Sequence, residues 1–496
     1  MSHAIILPIL LPLFIGALLL VGHSWSRTLK RGISLVGCLA LLPVCAYLVV
    51  LAGTGQLQVY ALGNWAPPFG IMLLLDRFNA ALLLLTAVLA CLALIYACRG
   101  DDERGPNFHA LFQFQLLGIN GAFLTADLFN LFVFFEILLI ASYALLLHGQ
   151  GAERVRAGLH YVVLNLTGSA LFLIALGMVY GASGTLNMAD LSARVAQASG
   201  DQVHLLAAAG LLLLLVFALK AALLPLYFWL PRAYAAASAP VAALFAIMTK
   251  VGIYAILRLA TLMFGAGAGE LANLTQAWLW PLALATVVLG AAGVLAARSL
   301  QMLLAYLVVV SAGTLLAAVA SGTPQAHAAG LYYLLHSTWV AGGLFLLADL
   351  ITRQRGDKGG ALVQGPALQN PSLLGGLFFF GAVAVIGLPP LSGFLGKLLL
   401  LQAQPSLALW AVLLLGGFAV LVALSRAGST LFWRVGLSSL DSAELDHGRL
   451  GACLLLLACA LLLVLLAAPL LDYAQAAAAQ LHDLPLYRSI IAEAAP

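Results

Sequence analysis

The chain has 496 residues, of which 64% are hydrophobic and only 8% are charged, and its formal net charge is +4. A soluble domain carries about 25% charged residues, so this composition excludes an ordinary soluble protein. Apolar runs of about 20 residues, the length at which a helix crosses a bilayer, recur along the whole sequence. The small positive charge lies in the short segments between these runs, which argues against nucleic-acid binding.

These runs predict an all-α polytopic membrane protein with about 14 transmembrane helices embedded in a lipid bilayer. The predicted helices cover residues 3–22, 30–52, 73–98, 108–125, 127–147, 157–181, 203–230, 239–262, 274–296, 299–321, 326–352, 373–401, 406–433 and 450–471.

Basic residues concentrate in every second loop between the predicted helices. The rich loops contain Arg27, Lys30, Arg31, Arg99, Arg104, Arg154, Arg156, Arg232, Arg298, Arg353, Arg355, Lys358, Arg434 and Arg449. The opposite side contains only Arg194, Arg258 and Arg488. Because cytoplasmic loops carry the excess of lysine and arginine, this distribution predicts that both termini are non-cytoplasmic.

Four charged residues lie inside the apolar runs: Glu136, Lys220, Lys250 and Lys397. Each costs about 2.5–3.5 kcal/mol at the centre of a membrane helix, so such residues usually have a function. Lysine can lose its proton in an apolar environment, whereas arginine does not. The sequence therefore indicates a path for charge. The alternatives are a static ion pair for Glu136 and a lysine that reaches the headgroups for Lys250.

His336 also lies in the middle of an apolar run, GLYYLLHSTWVAGGLFLL. Histidine changes its charge near neutral pH and can relay protons, although a single membrane histidine can equally serve packing or hydrogen bonding. The hydroxyl groups of Thr249, Tyr306 and Ser311 are further candidates for bridging positions, with ordinary helix packing as the alternative.

Prolines interrupt two of the predicted helices, and each interruption lies close to one of the buried lysines. Pro225 follows Lys220, and Pro389 with Pro390 precedes Lys397. Since proline breaks helical hydrogen bonding, these helices are expected to be discontinuous. Discontinuous helices five apart in helix order predict two inverted five-helix repeats, although ordinary proline kinks would leave the same pattern.

This organisation divides the chain into four parts. They are helices 1–3 in residues 1–107, a first five-helix repeat in 108–262, a second repeat in 274–434, and helix 14 with a short tail in 450–496.

Three motifs that contain the buried charges resemble the antiporter-like membrane subunits shared by respiratory complex I and the Mrp-type multisubunit cation/proton antiporters. They are TADLFNLFVFFEILLIASYAL at 125–145, KAALLPLYFWLPRAYAAASAPVAALFAIMTKVGIYAILR at 220–258, and GLPPLSGFLGK at 387–397. The resemblance covers nearly the whole chain.

Within this family the chain is more similar to the Mrp branch, and there to the D-type subunits, through ALSRAGSTLFWR at 423–434 and the tail at 476–491. The complex I subunits usually carry a histidine at Tyr234, an Asp-x-Lys at Ser299–Gln301 and a lysine after His336. This sequence lacks all three, which leaves the middle of a proton path without two familiar lysines.

The resemblance implies a proton-translocating subunit of a multisubunit antiporter for Na⁺ or K⁺ in the bacterial inner membrane, a transporter and not an enzyme. Protons would pass along Glu136, Lys220, Lys250, His336 and Lys397, with Glu136 beside Lys220, and other membrane subunits would be the partners. The alternatives are a proton-pumping membrane subunit of a complex I-like NADH dehydrogenase or membrane-bound hydrogenase, and a non-conducting scaffold.

No cofactor or metal is expected from the sequence. No phosphate-binding loop is present, and GAGAGE at 265–270 follows no strand, so it is not a dinucleotide motif. Iron–sulfur and haem ligand patterns are also missing from the sequence. The six cysteines lie in or at the ends of apolar runs, form no CxxC pair, and are interpreted as small packing residues.

Overall fold

The computed structural model describes residues 3–65, 70–436 and 444–493. The α-helices are α1 Leu7–Val21, α2 Arg27–Gly53, α3 Arg77–Ala97, α4 Phe108–Leu124, α5 Leu128–Leu147, α6 Ala152–Ser183, α7 Met188–Gln197, α8 Asp201–Ala221, α9 Trp229–Ala236, α10 Ala239–Arg258, α11 Gln276–Ala296, α12 Leu300–Ala320, α13 Pro324–Gln354, α14 Pro371–Ile386, α15 Ser392–Ala403, α16 Leu407–Gly428, α17 His447–Leu465, α18 Ala467–His482 and α19 Leu484–Glu493. Strands β1 (Gln58–Ala61) and β2 (Met72–Leu75) form an antiparallel ribbon between α2 and α3, with Gln58 opposite Leu75.

Most of these helices are long and apolar, as predicted. In the part of the chain that the structure describes, twelve helices have the length and composition to cross a membrane. The other two predicted segments are α4, with 17 residues, and the interrupted pair α14 and α15. The all-helical, multi-pass architecture is confirmed, while the count of fourteen crossings stays a prediction.

The centre of the bundle is formed by α3, α10, α12 and α13. Every residue of α10 from Pro240 to Arg258 is buried, including Lys250. Apart from that lysine, the helix is largely apolar on all sides in its central turns. Outer helices instead expose large apolar side chains, including Phe14 of α1, Leu159 of α6 and Phe418 of α16. A helix that is apolar all round either occupies a core or faces lipid, and both situations occur here.

Both helices predicted to be discontinuous are broken. The first break separates α8 from α9, beginning at Ala222, which has a left-handed φ of 57°. The indole nitrogen of Trp229 donates to the carbonyl oxygen of Leu219 at 3.0 Å, so a side chain beyond the break satisfies the end of α8. The second break separates α14 from α15 and begins at Gly387, where φ is 84° and glycine is the favoured residue.

The C-terminal tail differs from the prediction. The last predicted membrane helix was expected to end at residue 471 and to be followed by a short tail. The structure ends α17 at Leu465 and continues with α18 and α19. The alanine-rich segment 474–479 has high helix propensity. Leu481 and Tyr487 are buried, so this region folds back onto the bundle.

Loops that were predicted to be basic meet at one end of the bundle. The carboxylate of Asp101, between α3 and α4, contacts Arg104 at 2.9 Å, Arg353 of α13 at 2.9 Å and Arg449 of α17 at 3.2 Å. Asp349 also binds Arg449, at 3.1 Å. Ion pairs therefore join the loop between α3 and α4 to the end of α13 and the start of α17.

Candidate functional site

Glu136 lies in the middle of α5 and faces α6. Its side chain is partly buried, and the Ser169 hydroxyl of α6 donates a short hydrogen bond to its Oε1 atom. The same hydroxyl also contacts the backbone carbonyl of Asn165, one turn earlier, at 3.1 Å. The acid is therefore held by Ser169, and Asn165 lies one turn earlier on the same helix.

Lys220 is buried in the last turn of α8, just before the first break. Its ammonium contacts the Oδ1 of Asn165 at 3.3 Å and the Asn165 carbonyl oxygen at 3.4 Å, and lies 5.9 Å from the centre of the Phe135 ring. A cation at the C-terminal end of a helix is also stabilised by the helix dipole.

Glu136 and Lys220 do not form a direct ion pair. Among the described residues no nitrogen–oxygen distance of 4.0 Å or less joins them, and their connection runs through Asn165 and Ser169. The expectation that Glu136 lies beside Lys220 stays a prediction. The hydrogen-bonded contacts between them run through α6. The sequence signal for it was available, since Asn165 and Ser169 are polar residues four apart in LHYVVLNLTGSALF.

Lys250 is fully buried in α10 and contacts the Ser311 hydroxyl of α12 at 3.4 Å. Of the hydroxyl residues expected near it, Thr249 is buried with no hydrogen-bond partner for its side chain among the described residues. Two residues beyond Lys250, Gly252 packs directly on the backbone of Lys220 and Ala221, where any side chain would collide. This close approach brings α10 against the first break.

His336 belongs to the second break and does not contact Lys250. Its Nδ1 atom is 2.8 Å from the hydroxyl of Ser392, the first residue of α15. Gly393 leaves the space that the Nε2 side of the ring occupies. No hydrogen bond joins His336 to Lys250 within the described ranges, so a transfer between them would need water or movement.

Lys397 lies in α15 and binds the helix on the other side of the break. Its ammonium donates to the carbonyl oxygens of Val385 at 3.1 Å and Ile386 at 2.8 Å, the last residues of α14. These carbonyls have no partner within their own helix, so the lysine completes that end.

The predicted site residues thus fall into three groups. Glu136 and Lys220 are joined through α6, Lys250 binds Ser311, and His336 and Lys397 both attach to the second break. Each group connects a chargeable side chain to a hydroxyl, an amide or a helix end, which can hold a proton or water.

A further buried ion pair was missed in the sequence. Arg258 was counted among the loop charges, but it is 3% exposed and binds the buried carboxylate of Asp76 through a short contact. The Tyr487 hydroxyl of α19 also donates to Asp76, at 2.7 Å. Arg258 lies within the membrane-crossing helix Ala239–Met263, not in a loop. The two partners are 182 residues apart, which no local pattern reveals.

Cys98, Asp102 and His109 place their potential ligand atoms within 4.8 Å of one another near the basic end. Arg31 nevertheless donates to both oxygens of Asp102 at 2.7 Å, and His109 contacts the same carboxylate at 3.0 Å. Burial raises the pKa of the Asp102 carboxyl, but the bonds from Arg31 and His109 outweigh it and hold that pKa below its ordinary value. With its oxygens already bound by arginine and histidine, this cluster is better described as an ion-pair network than as a metal site.

Comparison with known proteins places these features in a wider group. Residues 125–423 match the family described as "NADH:quinone oxidoreductase/Mrp antiporter, TM". The chain is 44% identical over 471 residues to the D subunit of a probable K(+)/H(+) antiporter from Rhizobium meliloti (strain 1021), covering 87% of each chain. It is 38% identical over 439 residues to the D subunit of the Na(+)/H(+) antiporter from Bacillus subtilis (strain 168), again covering 87% of each.

A solved structure shows the same fold. The chain superimposes on a chain of the Mrp complex from Dietzia sp. DQ12-45-1b with a TM-score of 0.88 and 27% identity, covering 99% of this chain and 100% of the other.

Proposed function

We propose, from the premise that this chain belongs to the NADH:quinone oxidoreductase/Mrp antiporter membrane family, that it is the proton-translocating D-type subunit of a multisubunit monovalent cation/proton antiporter. It belongs to a transporter and is not an enzyme, and it works together with other membrane subunits. The observation that carries the proposal is the set of chargeable side chains, Glu136, Lys220, Lys250, His336 and Lys397, inside an apolar bundle with two broken helices.

The proposed path begins at Glu136 and Lys220. The Ser169 hydroxyl donates to the acid and also lies 3.1 Å from the backbone carbonyl oxygen of Asn165. Lys220 contacts that same carbonyl and the Asn165 side chain, so we expect a change of charge on the acid to affect the lysine. The break after α8 and the close packing of α10 support transfer onward to Lys250. In the low-dielectric interior these charge interactions are stronger than in water.

The second half of the path runs through His336 to Lys397. An open cleft of about 590 Å³ lies along the C-terminal part of α15, where Leu399, Gln402 and Ala403 line it and Lys397 does not. Its lining includes the glutamine side chains of Gln325 on α13, Gln402 on α15 and Gln475 on α18. Amide groups from three helices favour water in this cleft, which supports an outlet for protons at this end of α15.

The membrane arrangement is part of the proposal. We infer fourteen crossings, with helices 1–3 in 1–107, inverted repeats in 108–262 and 274–434, and a final helix with its tail in 450–496, of which residues 494–496 lie outside the described part. The protein would lie in the bacterial plasma membrane with both termini non-cytoplasmic. The positions of the two breaks and the ion-paired basic end support this arrangement.

The exchanged cation is sodium or potassium, since the relatives from Rhizobium and Bacillus carry either ion in their names. The buried lysines cannot coordinate a metal cation, so the cation site is expected at a partner subunit or at an interface with one. Everted membrane vesicles that contain the whole complex test the proposal. Addition of sodium, potassium or lithium should collapse an imposed pH gradient, and a complex that lacks this chain should not respond.

The alternative is a proton-pumping subunit of an NADH dehydrogenase-type complex, which the shared family description favours. The purified native complex distinguishes the two. Flavin and iron–sulfur absorption in that complex would support the alternative, and cation-driven proton movement without either cofactor supports the antiporter.

A further inference from the structure

An open cleft of about 650 Å³ lies at the basic end of the bundle, beside the first break. Residues of α6, α9, α11 and α12 and of the loop between α11 and α12 line it. Two of them are arginines from separate segments, Arg232 in α9 and Arg298 just after α11, and His160 of α6 is a third basic group.

Neither arginine has a compensating acid. Both side chains are exposed, and no ion pair of 4.0 Å or less involves either of them in residues 3–65, 70–436 and 444–493. The lining contains no aspartate or glutamate. Neighbouring loops behave differently, since Arg104, Arg353 and Arg449 all bind acids.

The unbalanced positive charge decides between two kinds of occupant. A vestibule that admitted Na⁺ or K⁺ would carry acidic or carbonyl ligands, and two arginines would repel the ion. A phosphate group, by contrast, is the preferred partner of arginine, whose planar donors match its oxygens.

Below its charged mouth the cleft is apolar. Phe228 is 58% exposed, and Met302 and Tyr306 of α12 continue the same wall. Tyr306 lies seven residues beyond Ser299, the residue that caps α12, so at 1.5 Å per residue the wall extends about 10 Å along the helix. That depth is about two-thirds of one half of a hydrocarbon core of about 30 Å. A free phosphate ion gains nothing from contact with these apolar side chains, whereas an acyl chain would pack on them.

We propose that this cleft binds an anionic phospholipid, with its phosphate between Arg232 and Arg298 and an acyl chain against Phe228, Met302 and Tyr306. Because Phe228 is the last residue of the first break and Arg232 lies in α9 just after it, the lipid also supports the segment that follows Lys220. The inference does not depend on the proposed transport activity, since lipid binding is measured without it.

Native mass spectrometry of the purified, delipidated complex tests the proposal, with phosphatidylglycerol, phosphatidylcholine and inorganic phosphate as separate probes. We expect saturable binding of phosphatidylglycerol and not of phosphatidylcholine. Arg232→Gln and Arg298→Gln should each weaken it about fivefold, the usual contribution of one basic residue near an anionic lipid, and the double variant should weaken it about 25-fold.

Two further variants control for folding and for general charge. The double substitution Arg232→Lys with Arg298→Lys keeps the charge but loses the planar donors, so it should bind more weakly than wild type and more tightly than the double glutamine variant. Arg434→Gln removes an exposed arginine outside the cleft and should change nothing. Unchanged phosphatidylglycerol binding in the double glutamine variant, or equal binding of phosphatidylcholine, would overturn the proposal. Inorganic phosphate binding as tightly as the lipid would assign the cleft to a free anion instead and would overturn it too.

Discussion

The ammonium of Lys397 donates to the carbonyl oxygen of Ile386 at 2.8 Å and thereby closes the C-terminal end of the helix that precedes its own. A second bond, to Val385 at 3.1 Å, reinforces the contact. The same nitrogen therefore holds the two halves of a broken membrane helix together and is the last base of the proposed path. Loss of its proton removes the charge from these bonds and weakens the junction, which couples protonation to the geometry of the break.

Substitutions of Lys397 separate these two roles. Lys397→Arg keeps donors for the α14 carbonyls but holds its proton permanently. We expect a complex that assembles at wild-type levels and transports at least about 100-fold more slowly, the usual minimum for losing a proton-transfer group. Lys397→Ala should lose transport and also lower the apparent Tm, because carbonyls at the break are left without a donor. Cation-dependent proton movement in everted vesicles and thermal unfolding of the purified complex measure the two effects.

Lys358, an exposed lysine of the loop before α14, provides the matched control. Lys358→Arg should leave both measurements unchanged. Wild-type transport by Lys397→Arg would show that this residue has only the structural role.

Glu136→Gln should abolish exchange without disturbing assembly. The amide oxygen can still accept the hydrogen bond from Ser169, so the contact between α5 and α6 is retained while the charge is lost. Cation-driven collapse of the pH gradient should fall at least about 100-fold. Glu153→Gln, the same change at an exposed position at the start of α6, serves as the control. Normal exchange at normal protein levels in the Glu136 variant would remove this acid from the path.

Changes at Lys220 and Asn165 test the linkage through α6. Lys220→Arg should be strongly impaired, since a static cation would satisfy Asn165 but could not release a proton. Asn165→Ala removes one of the two acceptors of the Lys220 ammonium and leaves the backbone carbonyl. A hydrogen bond to a charged group is worth about 1.5–3 kcal/mol, so we expect transport about tenfold slower or worse. An Asn165→Ala protein with wild-type rates would mean that the side-chain amide has no part in the linkage and that the backbone carbonyl suffices.

The sequence reveals a functional candidate most clearly where a charged residue has only apolar neighbours. Glu136 and the three buried lysines stand out because every neighbour is apolar, and the prolines mark both breaks. Asn165 and Ser169 are uncharged, so their importance emerges only when the structure shows Glu136 of α5 and Lys220 of α8 both in contact with α6. The Asp76–Arg258 pair was not predicted because Asp76 lies at the start of α3 and Arg258 at the end of α10. At such positions a charged residue resembles one at the membrane interface. Only the folding of the C-terminal tail over them, with Tyr487 contributing a hydroxyl, shows that they are buried.

Breaking the Asp76–Arg258 pair should destabilise the protein strongly. Both side chains are almost fully buried, and removal of one partner leaves an unpaired charge at a cost of about 3–5 kcal/mol. We therefore expect Asp76→Asn and Arg258→Met each to lower the apparent Tm, and the double variant to lower it by less than the sum. Asp190→Asn, which breaks an i,i+4 pair whose arginine side chain is 48% exposed, should cost at most about 1 kcal/mol. Additive losses in the double variant would show that the two charges do not stabilise each other.

The Asp102 network predicts a dependence of stability on pH. Bonds from Arg31 and His109 hold the Asp102 pKa below its ordinary value, despite the opposing effect of burial. A carboxyl whose pKa is lower in the folded than in the unfolded state contributes stability that is complete above the unfolded pKa and is lost as the pH falls through the folded one. Asp102→Asn should therefore lower the apparent Tm by a constant amount at neutral and alkaline pH. The difference from wild type should shrink only below about pH 4, the unfolded value for aspartate. Thermal unfolding of both proteins across this range, with Glu103→Gln as the control for the more exposed neighbouring carboxylate, measures it. A difference that grows on acidification would mean that Asp102 is protonated in the folded protein and does not pair with Arg31.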